Sequence, residues 1–67
     1  MTKRVLRLPE VIERTGISRS LIYILIKEGK FPKQIHISKR TSGWIESEIN
    51  EWLEDRIAES RLNTEVA

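Results

Sequence analysis

The chain has 67 residues, 39% of them hydrophobic and 33% charged, with no cysteine, one histidine and a formal net charge of +2. A chain of this length forms one small domain that buries only about 60% of its extended-chain surface, and without cysteine or a second histidine a disulfide framework and a zinc site are both excluded. The small net charge hides a segregation: residues 1 to 45 carry ten Lys/Arg against three Asp/Glu, a net of +7, and residues 46 to 67 carry two against seven, a net of −5. One end suits a polyanion, while the acidic end faces away from it or toward a partner.

In chain order, Val5, Leu6 and Leu8 read as an extended lead-in that packs on the core. Pro9 is expected at the first position of a short helix, with Glu10 in its positive-ended first turn, Val11 and Ile12 facing inward and Gly16 ending it in the left-handed conformation. Ser18 is an N-cap for a second helix, and Ile17 before it can pack on Ile22 as a hydrophobic staple. At about 100° per residue, Leu21, Ile22 and Leu25 gather on one side with Ile24 and Ile26 on the flanks of that stripe, and Arg19, Ser20, Tyr23 and Lys27 fall on the opposite arc. Gly29 ends this helix.

After Phe31-Pro32 the apolar period changes to two. Ile35 and Ile37 alternate with Gln34, His36 and Ser38, which places His36 outward, and Gly43-Trp44-Ile45 offers a short return strand. The connection is Lys39-Arg40-Thr41-Ser42, a basic hairpin tip. A last helix starts near Glu46 or Ser47, and Ile49, Trp52, Leu53 and Ile57 recur at helical spacing to close the core. The pattern is lost from about Ser60. The expected fold is therefore mainly α with a small β-hairpin, a winged helix-turn-helix of three helices and a two-stranded wing over residues 1–59, followed by a frayed tail over 60–67.

Two short helices joined at Thr15-Gly16-Ile17-Ser18 form a device that presents side chains to a DNA groove. Arg19 is the leading base-reading candidate, because a guanidinium in the first turn can grip guanine O6 and N7 with two bonds. Tyr23, one turn on, suits a backbone contact or a thymine methyl. Ser20 suits a phosphate or a base edge, Ser18 divides its hydroxyl between phosphate and its own cap, and Lys27 is electrostatic, as are Lys30 and Lys33. At the wing tip Lys39, Arg40 and Thr41 are expected beside phosphates or in a minor groove. Trp44 and Trp52 lie on the apolar sides of their elements and read as core. Neither a nucleophile-base-acid set, a nucleotide loop nor a metal cluster is seen, so no enzyme, metal or cofactor is expected. With no apolar run near the roughly 20 residues that span a bilayer, and no signal-peptide core at the start, a cytoplasmic, nucleoid-associated protein without a membrane partner is expected.

The segment Arg7-Leu-Pro-Glu-Val-Ile-Glu-Arg-Thr-Gly-Ile-Ser-Arg-Ser-Leu-Ile-Tyr23, followed by Gly29-Lys-Phe-Pro-Lys33, Gly43-Trp44 and Glu48-Ile-Asn-Glu-Trp52, resembles the AlpA family of small phage and prophage regulators. That family is related to excisionases and more distantly to MerR-type winged helices. The resemblance spans roughly residues 5 to 57 and implies a bacterial or phage DNA-binding regulator of mobile-element genes, with its recognition helix at 18–28 and its wing at 35–45. Where the family commonly has a second basic residue after the tyrosine, this chain has Ile24-Leu25-Ile26, which leaves fewer polar contacts late on the helix and argues against base contacts beyond Tyr23. Besides transcriptional control, two readings stay open: an excisionase-like factor that bends attachment-site DNA, and a protein-interaction module using the acidic last helix. The partners implied are double-stranded DNA and, through that helix, RNA polymerase, an integrase or a neighbouring copy on DNA.

Overall fold

In the computed structural model of the protein, residues 4–62 are described. The elements run β1 (Val5–Leu6), α1 (Leu8–Thr15), α2 (Arg19–Lys27), β2 (Ile35–Ser38), β3 (Thr41–Ile45) and α3 (Glu46–Leu62), which is a winged helix-turn-helix. The lead-in does more than pack: β1 pairs antiparallel with β3, so the strand order is β1-β3-β2 and the wing is rooted in a three-stranded sheet.

Local chemistry explains where each helix begins and ends. Helix α1 starts one residue earlier than expected, at Leu8, so Pro9 takes the second position, where its missing N–H is still no loss. The Glu10 carboxylate accepts the Arg7 backbone N–H at 3.0 Å, which satisfies an orphan donor at that end. Helices α1 and α2 are both followed by glycine at positive φ, Gly16 at 76° and Gly29 at 74°, a conformation that costs other residues a Cβ clash. At the second stop, Gly29 N–H donates to Ile26 O at 3.0 Å and Lys30 N–H to Leu25 O at 2.8 Å, the paired bonds of a Schellman ending.

The core consists of Leu6, Val11, Ile22, Phe31, Trp44 and Ile49, with Leu8, Ile12, Ile17, Leu25, Ile26, Trp52 and Leu53 packed around it. Trp44 is only 1% exposed, and its indole N–H reaches Pro32 O at 3.0 Å. Trp52 meets Phe31 edge to face at 4.8 Å between ring centroids and donates to Lys30 O at 2.7 Å. The two tryptophans thus fix the segment between α2 and β2 from both sides, each with its polar handle satisfied.

The structure corrects several expectations. On α2 the inward stripe is Ile22, Leu25 and Ile26, whereas Leu21 is 40% and Ile24 51% exposed. On the wing, His36 is exposed as expected, but the pairs Ile35↔Gly43 and His36↔Ser42 put Ile35 and Ile37 on the sheet face opposite buried Trp44, so they do not face the core. All four residues of β2 are exposed, because that strand extends beyond the core. Thr41 and Ser42 belong to β3, so the hairpin tip is Lys39-Arg40 alone. Ile57 is 48% exposed despite its helical spacing, and the core contacts of the 17-residue α3 come from Ile49, Trp52 and Leu53 in its first half. Helix α3 also carries residues 60–62, where apolar periodicity has already ceased. The remainder of the expected tail, 63–67, lies outside the described residues.

Candidate nucleic-acid interface

The turn between α1 and α2 is residues 16–18, held by side chains on both flanks. Thr15 Oγ1 donates to Val11 O at 2.7 Å and accepts the Ile17 backbone N–H at 3.4 Å, while Ser18 Oγ accepts Leu21 N–H at 3.2 Å. Ile17 beside the cap packs on the core cluster that contains Ile22. These contacts set the angle between the helices by local bonds and one apolar anchor. One lone pair of Ser18 Oγ is therefore committed to its own helix, and its hydroxyl proton is left to donate outward.

Along α2, Arg19, Ser20, Tyr23 and Lys27 are all exposed. The Arg19 guanidinium carbon lies 6.0 Å from the Tyr23 ring centroid, at the outer limit of a cation–π contact, which aligns the two side chains along one flank of the helix. At the far end of the wing, Lys39 and Arg40 occupy an exposed two-residue turn. Thr41 opens β3 opposite Ser38 and is half-buried, so it presents less of its hydroxyl than a tip residue would.

The ion pairs sort the cations into two groups. Arg14 donates to Glu46 at 2.9 Å and to Asn50 at 3.2 Å, Arg4 approaches Glu10 at 3.5 Å and Glu46 at 3.9 Å, Arg56 pairs with Glu59 at 2.9 Å, and Lys30 lies 3.9 Å from Glu28. Among the described residues, Arg7, Arg19, Lys27, Lys33, Lys39 and Arg40 form no ion pair. Unneutralised cations on α2 and on the wing tip are what a polyanion would meet. Sequence reasoning missed the Arg4–Glu46–Arg14 cluster, whose members are up to 42 positions apart and carry no shared local signal. It also missed the exposure of Ile24, whose only available signal was the phase of the apolar stripe.

A concave surface open to solvent runs between residues 29–35 and α3, with a volume of about 890 Å³. Phe31, Trp52 and Ile35 contribute apolar surface there, and the charged lining is mixed, with Glu48, Glu51, Asp55 and Glu59 beside Lys30, Lys33 and Arg56. Among the described residues, no group of three or more His, Cys, Asp or Glu is placed to hold a metal ion, and no helix is long and apolar enough to cross a membrane.

A tight helical pair with a wing rooted in a three-stranded sheet is the architecture of a winged helix-turn-helix protein. Residues 4–57 match the family described as prophage CP4-57 regulatory protein (AlpA), and the chain belongs to that family. It is similar to an uncharacterized protein, ORF88, of Enterobacteria phage P4, at 45% identity over 56 residues that cover 84% of this chain and 64% of the relative. It is also similar to the DNA-binding transcriptional activator AlpA of Escherichia coli strain K12, at 42% identity over 59 residues that cover 79% of this chain and 84% of the relative. The chain thus spans a little under two thirds of the phage P4 relative's length.

Proposed function

We propose that this protein is a sequence-specific DNA-binding regulator of phage or mobile-element genes, which lays α2 in the major groove and its wing against the backbone or minor groove. The observation that carries this reading is the set of exposed cations on α2 and the wing tip that form no ion pair among the described residues; Arg7 and Lys33 form none either, while Arg4, Arg14 and Arg56 are paired with acids. Family membership and the activator named among its relatives give the same direction. In this arrangement Arg19 reads a base, Ser20 and Tyr23 contact base edge or phosphate, Ser18 and Lys27 meet phosphate, and Lys39, Arg40 and Thr41 anchor the wing. The chain acts as a binding protein rather than a catalyst.

The exposed acids of α3 give the molecule an anionic surface that DNA avoids. That surface suits a protein partner such as RNA polymerase, an integrase or a neighbouring copy on DNA.

Binding of the purified protein to DNA fragments tiling its gene's neighbourhood, against a scrambled duplex over a salt series, tests the proposal. The expected result is a discrete footprint that survives physiological salt in the presence of scrambled competitor. Equal binding to every fragment, lost as salt rises, would refute sequence-specific recognition. A footprint on an attachment site with a strong bend, measured by circular permutation, would assign the excisionase-like role in place of promoter control.

A further inference from the structure

Ile24 stands at the crest of the helix that is read as entering the groove. Buried Ile22, with half-buried Leu25 and Ile26, fixes the inward direction of α2. At about 100° per residue the opposite direction falls among Ser20, Ile24 and Lys27, which stack at successive turns and are all exposed. Arg19 and Tyr23 lie on one flank and Leu21 on the other. Ile24 is 51% exposed and is not among the residues packed on the core.

We infer that Ile24 is a specificity-determining residue that packs on the C5-methyl group of a thymine in the major groove. The inference rests on the reading of α2 as the groove helix. An isoleucine has no hydrogen-bonding atom, and the methyl of thymine is the apolar feature that major-groove base edges offer. Its branched side chain has one strongly preferred χ1 in a helix, so the apolar surface is presented with little ordering cost. A cytosine at the same step would set its N4 amino group against that surface and leave a donor cut off from water. Base readout would then extend past Tyr23, where the run Ile24-Leu25-Ile26 alone argues that it stops.

The test replaces each thymine of the protected site, one at a time, by deoxyuridine, which removes the methyl and keeps every pairing group. The wild-type protein should lose about fourfold in affinity at one or two positions, matching the roughly 0.8 kcal/mol of one buried methyl. Ile24→Ala should bind the thymine and uracil forms alike at those positions, with thermal unfolding unchanged because the side chain is exposed, and Ile24→Val should retain the preference. Uracil sensitivity that persists in Ile24→Ala would assign the methyl to another side chain and overturn the inference. A footprint indifferent to uracil throughout would also overturn it, while leaving the regulator reading intact. Absence of any specific footprint would remove both.

Discussion

Arg14 and Arg19 carry the same charge on consecutive helices, five residues apart, yet their surroundings give them different work. The Arg14 guanidinium is held by Glu46 and Asn50, tying α1 to the start of α3, whereas Arg19 lies along the Tyr23 ring and has no ion pair among the described residues. A planar donor held loosely along a helix flank keeps its paired N–H groups for guanine. Arg19→Ala is accordingly expected to cost about 1–3 kcal/mol on the cognate site and to relax the preference at one base position. Lys39→Ala and Arg40→Ala should instead weaken all sequences together and each lower the salt dependence by about one unit of slope. Affinities on single-base variants of the site, measured across a salt series, separate the two behaviours, and an unchanged base preference in Arg19→Ala would remove its reading role.

At the scale of the element, β3 is the hinge of the design, since it lies between β1 and β2 and leads directly into α3. Its Gly43 permits the close approach of β1: a Cβ there would stand 2.6 Å from Val5 Cγ1 and 2.7 Å from the Leu6 carbonyl oxygen. A side-chain methyl could rotate away, but a backbone carbonyl that is part of the sheet cannot. Gly43→Ala should therefore destabilise the fold by about 1–3 kcal/mol, the usual cost of overpacking. For so small a domain this lowers the unfolding midpoint by roughly 4 °C or more, readable by circular dichroism. An unchanged midpoint would mean that the β1 backbone yields to the added methyl without cost. The wing beyond Gly43 is thin, with β2 exposed throughout, so its orientation depends on this junction rather than on burial of its own.

For the whole molecule, charge and shape act together. The described residues extend over 46 × 30 × 20 Å, and the acids of α3 include Glu51, Glu54 and Asp55, which are exposed and have no ion pair among the described residues. At about 0.01 M salt the screening length is about 30 Å, comparable with the molecule, and it shrinks to about 8 Å at physiological strength. Replacing Glu51, Glu54 and Asp55 together by glutamine should thus raise affinity for cognate and scrambled DNA alike by a few-fold at low salt, and the gain should vanish at physiological salt. A change confined to the cognate duplex would show that α3 acts through a specific contact instead of through its field.

Much of this architecture is legible locally because its signals are local. Ser18 before α2, glycine at both helix stops and the basic pair Lys39-Arg40 depend on neighbours within a few positions, and they locate the helical pair and the hairpin. The burial of Trp44 follows from its apolar bulk beside Ile45 in a short return strand. What the chain could not announce was the phase of a helix that is apolar nearly all round: Leu21-Ile22-Tyr23-Ile24-Leu25-Ile26 offers several stripes of equal merit. Only the angle at which α2 meets Trp44, Val11 and Ile49 selects Ile22, Leu25 and Ile26 as the inward set. The same holds for the wing, where strand register turned Ile35 and Ile37 away from the core, and for Arg4, Arg14 and Glu46, joined across the fold. Sequence by itself determined the elements and their class, since capping and turn chemistry are short-range; tertiary structure decided which faces and which cations are left free, because that depends on packing between residues far apart in the chain.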